Sequence, residues 1–590
     1  MQQTRLLPLF GATLLLLAPA YAGKLSKDLQ NVSSGSTVDV IVQFKQAPTE
    51  AHHQKITSRG GQLKTALGIV KGGHYSIAAG KLAELANDPD VSYISPDRGL
   101  QGTLDYAAST VGADVALKNG LDGLGVTVAV IDSGVTDHAD LQVGSNNQNN
   151  GRAGKSRVLY DENFVPARSN SANNVKDEYG HGTHVAGIIA GNAFSSDGTN
   201  YTHTFRGMAR RASLVNLRVL DGKGAGQDSY VIAAIQRAIA LKNVYNIRVI
   251  NLSLGRPVYE SYTTDPLCQA VESAWKAGLV VVVAAGNDGR DNSGGRSGYG
   301  TISSPGNDPL VITVGAMKTK KTATRSDDEI ASYSSKGPTF LDHVVKPDLV
   351  APGNQIISLL ANGNNWISTL YPQNVVPYSY FQTTGSTKHS DSYVWLSGTS
   401  MATPMVSGAA ALMLQRDPSL TPDQVKARLM KTATKSFPTH STATDPLSGQ
   451  TYTSQYDIFT IGAGYLDVWA ALNNTDRAQK GAVSPTASYD ATTGKVHLVN
   501  TKSVIWGDSV IWGDSVIWGD SVIWGDSVIW GDSVIWGDSV IWGNAGTSGF
   551  SVIWGDSVIW GTVASSATSL AATASISSPE SVNVAINGEK

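Results

Sequence analysis

Cysteine is almost missing from this sequence of 590 residues: Cys268 is the only one. A lone thiol closes no internal disulfide and leaves no cysteine cluster for a structural zinc. It sits on a helical apolar pattern and reads as a small buried hydrophobe. Charge is sparse as well. Charged residues make up 16% of the chain, and 45 basic against 48 acidic side chains leave a net charge of −3. Nucleic-acid recognition needs a basic stripe, which this balance does not supply, so a nucleic-acid partner is excluded. Past residue 22 no apolar stretch is long enough to span a bilayer, which excludes a transmembrane anchor. What the sequence does have is a 41% apolar share, enough to bury several cores. At about 150 residues per domain, the length suggests three or four units.

The first 22 residues read as an export signal. Arg5 supplies the positive start, Leu6 to Leu17 the apolar core, and Ala20-Tyr21-Ala22 the small-x-small cleavage site. The product is therefore expected outside the cytoplasm, as a secreted protein.

Residues 23–100 form a compact α+β unit on pattern. Val38 to Phe44, Tyr75 to Ala78 and Val91 to Ile94 read as strands, and Ala51 to Leu67 and Lys81 to Asn87 as helices. From about 101 to 472 the pattern changes. Val126 to Ile131, Leu214 to Val219, Arg248 to Leu252, Leu279 to Ala284 and Leu310 to Val314 are apolar runs without alternation. A parallel sheet covered on both faces requires such runs. Helical patterns such as Tyr230 to Leu241 and Cys268 to Ala277 lie between them, so the expected fold is α/β, a doubly wound, mostly parallel sheet. Residues 473–502 read as a polar linker. Ten hexads follow over 503–562, nine of them beginning Ser-Val-Ile-Trp-Gly, and then an Ala- and Ser-rich stretch over 563–590. So strict a period marks a separate module.

In such a sheet, chemistry gathers at the carboxyl ends of strands. Asp132-Ser133-Gly134 ends the first strand, and Ala284-Ala285-Gly286-Asn287 ends a later one. Between them Gly180-His181-Gly182-Thr183-His184-Val185-Ala186-Gly187 opens a helix. Further on, Ser397-Gly398-Thr399-Ser400-Met401-Ala402-Thr403-Pro404 opens another. A serine hydroxyl becomes a nucleophile when a base takes its proton, and a carboxylate can hold that base in the right tautomer. A side-chain amide and helix N-terminal N–H groups suit a developing oxyanion. Asp132, His181, Ser400 and Asn287 supply these parts.

These motifs, in the order Asp…His…Ser, resemble the subtilisin-like serine proteases, the subtilases. The resemblance implies a serine endopeptidase that needs no cofactor for its chemistry and acts on polypeptides. Ser253, Leu254 and Gly255 would then form a substrate-binding strand and one pocket wall, with Ala284, Ala285 and Gly286 as the other and Ser303 at the floor. No acidic residue aligns there, which favours apolar side chains before the scissile bond. Residues 23–100 resemble the family's chaperone and inhibitor propeptide, and imply self-cleavage between about Asp97 and Tyr106. The precursor would be a zymogen with its own propeptide as inhibitor. Asp140, in His138-Ala139-Asp140-Leu141, resembles a family calcium ligand, although Ala139 stands where the family has Pro, and the loop 192–205 departs from the pattern. His184, one helical turn from His181, reads as structural, because no third ligand accompanies the pair. Lys318, Lys320, Lys321 and Arg325 read as a solvated loop.

The hexads have strand composition with Gly-Asp at turn positions, as in a meander of short hairpins or a solenoid. Each face of a meander would mix Val, Ile, Trp and Ser, so a β-rich module favouring self-association or cell-surface association is expected. An adhesin that uses its protease only on itself, and a processing protease with one substrate, stay open as alternatives.

Overall fold

The computed structural model describes residues 24–96, 106–499 and 584–589, apart from 27–28, 30–31, 69–70, 144–153, 167–173, 293–294, 362–364, 446–448, 479–480 and 491–494. The export signal, the expected self-cleavage segment and the hexads lie outside the described residues. The chain divides into two compact units at residue 100.

The first unit is a four-stranded antiparallel sheet in the order Gln62–Leu67, Gly72–Ala78, Thr37–Phe44, Val91–Pro96. Alternation in Thr37–Phe44 turns Val40, Val42 and Phe44 inward, onto Ile56, Leu82 and Leu85 of the covering helices. The expected helix over 51–67 is too long. It spans Glu50–Thr57, and the chain then turns at Gly60, whose φ of +81° disfavours other residues. A side chain at Gly61 would begin 2.6 Å from Ile56 Cγ2, so the helix closes against its own last apolar residue. Residues 62–67 become an edge strand instead. Mostly exposed, it carries no periodicity from which to read it.

The second unit is built on an eight-stranded sheet. Its order is Glu329–Ile330, Ile312–Lys318, Val280–Ala284, Ile247–Leu252, Thr127–Asp132, Ser213–Arg218, Val158–Asn163, with Leu349–Pro352 pairing with Ile312–Lys318. Glu329–Ile330 alone runs antiparallel to its neighbour. The five apolar runs are all strands of this sheet. Val158–Asn163 escaped notice because it is half-exposed and polar at its end, and Leu349–Pro352 because it is four residues long. The register sets Asn251 beside both Val130 and Val282, so three strands end level, and Asp132, Leu252 and Ala284 share one edge. The segment from Ile356 to Leu396 forms a separate three-stranded sheet, in the order Ile356–Leu359, His389–Leu396, Val375–Pro377.

Helix Thr399–Arg416 is buried along all but its last two residues. Ala, Gly and Ser dominate it because its neighbours come close: a Cβ on Gly408 would lie 2.4 Å from Met208 Cβ. No helix among the described residues is long and apolar enough to cross a membrane.

The polar stretch 473–502 does not behave as a free linker. Ala482 and Ala487 are buried, residues 486–490 and 495–499 pair as a hairpin, and Ser484 Oγ donates to Asp348 Oδ1 at 2.6 Å. Its polarity misleads because it serves a buried charge. Asp348 also takes Lys346 Nζ at 2.7 Å and Lys426 Nζ at 3.1 Å, all three side chains having no exposure. Burial lowers Lys426 to about 7, while the lysines hold Asp348 below the usual carboxylate range against the upward pull of its own burial. Replacing Asp348 by Ala should strand two buried amines and destabilise the second unit by about 3–5 kcal/mol, read from chemical denaturation.

Candidate active site

Asp132 ends its strand fully buried, and its Oδ1 accepts hydrogen bonds from Ser133 N–H at 2.7 Å and His181 Nδ1 at 2.8 Å. The carboxylate fixes the proton on Nδ1, which leaves Nε2 with a free lone pair. Nε2 is buried and has no hydrogen-bond partner among the described residues. A buried imidazole nitrogen left open in this way is available as a base.

His181 is the first residue of helix His181–Ala190, and Asp177, which the motifs did not single out, organises that helix start. Its Oδ1 takes Gly180 N–H at 2.7 Å and Ser133 Oγ–H at 2.8 Å, and its Oδ2 takes Thr183 N–H at 2.8 Å. Ser133 Oγ in turn accepts Gly182 N–H at 2.9 Å. Asp177 does the work of an N-cap from three residues upstream, tying the His181 turn to the strand that carries Asp132. The acid ahead of Gly-His-Gly was its one sequence signal. His184 lies deeper. Its Nε2 meets the Ile356 and Val394 carbonyls at 3.0 and 3.2 Å, and burial lowers its pKa to about 3. It anchors the three-stranded sheet as a neutral histidine.

Ser400 sits in the first turn of the buried helix, 6% exposed. Pro404, four residues on, has no N–H, so the Ser400 carbonyl lacks its helical partner and accepts Ser253 Oγ–H at 2.8 Å instead. The Ser400 hydroxyl donates to the Ser253 carbonyl at 3.1 Å. Asn287 comes from the end of strand Val280–Ala284. Its Oδ1 accepts Thr399 N–H at 2.9 Å, which leaves Nδ2 as the outward donor. Gly398 has φ +143°, and a Cβ there would lie 3.2 Å from Asn287 Nδ2 and 3.6 Å from Ser400 N. The missing side chain thus leaves room between two donors, the geometry an oxyanion requires.

The two expected pocket walls converge on Ser303. A Cβ on Gly255 would lie 2.9 Å from Ser303 Cβ, and one on Gly286 would lie 2.6 Å from Ser303 Oγ. Ser303 N–H bonds the Ala285 carbonyl at 2.9 Å. Ser253, Leu254, Ala284 and Ala285 are buried, and Gly255 and Gly286 are the partly exposed members.

The subtilase family model matches residues 123–450. The chain belongs to the subtilase family. Serine protease AprX of Bacillus subtilis is 38% identical over 349 residues, covering 57% of this chain and 68% of that protein. Subtilisin E of the same species is 33% identical over 402 residues, covering 67% of this chain and 84% of its own length. Subtilisin J of Geobacillus stearothermophilus is 34% identical over the same span. This subtilase is a serine endopeptidase with the family's α/β fold.

In this subtilase the surroundings of Asp140 do not fit calcium. Asp140 is fully buried, but Oδ1 accepts Ser195 N–H at 2.9 Å and Oδ2 accepts Tyr393 O–H at 2.8 Å. The positive charge nearby comes from Arg157, buried and donating to the carbonyls of Asp140, Ala190 and Ala212 at 2.7, 2.5 and 2.8 Å. Calcium takes six or more oxygens, and no group of three acidic, His or Cys side chains among the described residues is placed to hold a metal. Here a guanidinium gathers the carbonyls. The basic run departs from expectation in part, since Lys320 and Lys321 are exposed but the other two members are engaged. Lys318 is 6% exposed and pairs with Glu329 at 3.1 Å, and Arg325 pairs with Asp467 at 2.6 Å. Cys268 is buried as expected, and burial raises its thiol pKa.

Asn287→Ala should lower kcat by roughly 10²–10³ with little change in KM, a magnitude known from subtilisin rather than derived from this geometry. Steady-state kinetics on a short chromogenic peptide would measure it. Arg157→Met should lower stability by about 3–5 kcal/mol, as loss of one partner of a buried charged cluster does. That loss should be equal with and without a chelator in thermal unfolding, since no metal takes part.

Proposed function

We propose that the protein is an exported serine endopeptidase made as an autoinhibited precursor that matures itself. The observation that carries the catalytic part is the buried hydrogen bond between Asp132 and His181 Nδ1, which directs the free lone pair of Nε2 toward substrate chemistry. In the mechanism, Ser400 Oγ leaves the Ser253 carbonyl, turns to His181 Nε2 and attacks the peptide carbonyl as Nε2 takes its proton. Asn287 Nδ2–H and Ser400 N–H hold the oxyanion. His181 then gives the proton to the leaving amine, and water repeats the cycle on the acyl-enzyme. Asp132 holds the imidazolium. The substrate backbone pairs with the Ser253–Gly255 edge, and its side chain enters between Gly255 and Gly286 above Ser303, which suits an apolar residue.

The export signal at Arg5 to Ala22 supports secretion. The separate core of the first unit supports a propeptide that folds as a body of its own and acts as chaperone and inhibitor. The hexads act in self-association or cell-surface association. Ser400→Ala should accumulate as a precursor that has lost residues 1–22 and keeps residues 23 to about 100. Mass mapping of its termini decides the matter, because a purified Ser400→Ala protein that still sheds the first unit would rule out self-processing.

A further inference from the structure

After the hexads the chain comes back. Residues 584–587 make one helical turn, and Val584, Ala585 and Ile586 are 1%, 5% and 8% exposed. Val584 and Ile586 belong to the same hydrophobic core as the central sheet. The Ala585 carbonyl accepts Ser397 N–H at 3.0 Å, and the Ile586 carbonyl accepts Asn374 Nδ2–H at 2.7 Å. Gly588 has φ +57°, and a Cβ there would come within 2.4 Å of Ser397 Oγ, so glycine alone fits the slot. Asn354 grips the backbone of Glu589 at two points, accepting its N–H at 2.7 Å and donating to its carbonyl at 2.8 Å.

The Glu589 side chain is 2% exposed and lies among donors. Ser332 N–H reaches Oε1 at 2.8 Å, Arg290 Nη2 reaches it at 3.0 Å, and Ser332 Oγ–H bonds it as well. Lys318 Nζ lies 3.4 Å from Oε2. Both cations are themselves buried. Buried charges persist where they are paired and hydrogen-bonded, so this pocket is shaped for a carboxylate at that point of the chain. Its walls are the back of the active site. Ser397 is three residues before Ser400, and Arg290 is three after Asn287. Asn287's loop is held from the same side, with Gly289 N–H on the Tyr333 carbonyl at 2.8 Å and Asp288 N–H on Ser335 Oγ at 3.1 Å.

We propose that residues 584–589 are a clasp, an intrachain ligand of the catalytic unit that positions the Ser397–Ser400 turn and the Asn287 loop and closes residues 500–583, with their hexads, into a loop tied at both ends. Glu589 is a positioning residue in this scheme and touches no substrate. The positioning half rests on the catalytic roles given above to Ser400 and Asn287, whereas the anchoring half does not.

The test uses the full chain with a recognition site for a sequence-specific protease inserted between Ala571 and Ala572. In the Ser400→Ala background, a single cut followed by gel filtration should leave the fragment beginning at Ala572 with the catalytic unit, and Glu589→Ala should release it. Release from the parent overturns the clasp, and elution as a dimer would give the slot to a second copy and overturn the intrachain assignment. In the active enzyme, Glu589→Ala should lower kcat on a short peptide about tenfold with KM unchanged, and Glu589→Gln, which keeps the acceptor oxygen, should recover part of it. Adding a synthetic peptide of residues 584–590 to the cut Glu589→Ala enzyme should raise its kcat toward the parent value. A kcat within twofold of the parent in Glu589→Ala, with the fragment released, overturns the positioning half. If the parent has no peptidase activity, the reading of Ser400 fails while the retention result still decides the anchoring.

Discussion

Helix Thr399–Arg416 is held inside the protein on every side, and most of the second unit is arranged around that constraint. A helix with no solvent face needs an apolar surface all round and small residues wherever a neighbour crosses closely. Gly408 under Met208 shows how little room there is. The same confinement fixes Ser400. Its carbonyl and hydroxyl exchange hydrogen bonds with Ser253, just past the end of strand Ile247–Leu252, and Pro404 makes the first of these available by having no N–H to give. Thus the helix is registered to the Ser253–Gly255 edge by this residue pair, and Ser407 Oγ–H adds a bond to Asn251 Oδ1 on the same strand.

Three clusters around this frame share a pattern, in which a buried charge is met by more than one donor or counter-charge. Asp177 distributes its two oxygens over the turn that presents His181. Asp348 joins two lysines and a serine from three separate parts of the chain. Arg157 gathers three carbonyls near Asp140. Such clusters are weak sources of net stability but are expensive to break, so they discriminate against misplaced loops more than they strengthen the native one.

Much of the frame was legible in the sequence because its causes are local. Unalternating Val and Ile runs gave the central strands, and short motifs at strand ends and helix starts gave Asp132, His181, Asn287 and Ser400. Where reading failed, the decisive partner lay far along the chain. Nothing near Lys318 announces Glu589, so it looked as solvated as its exposed neighbours Lys320 and Lys321. Residues 473–502 looked like a connector because Ser484 is polar, yet that hydroxyl is there for Asp348. Asp140 kept a metal-ligand signature while Ser195, Tyr393 and Arg157, all distant in sequence, filled its surroundings with donors. Gln62–Leu67 was hidden for a different reason, since an exposed edge strand needs no hydrophobic pattern.

The return of the chain at Val584 to Glu589 also has a meaning in time. A polypeptide emerges from the ribosome in order from its first residue, and domains fold as they become complete. The first unit and the segments that carry Asp132, His181, Asn287 and Ser400 all precede the hexads, whereas the segment that fills the slot behind Ser397 follows them. An enzyme that cuts polypeptides is most dangerous to its maker while it is still attached to the machinery that makes it. Placing a core segment downstream of the hexads delays the finished fold until the hexads themselves have been made.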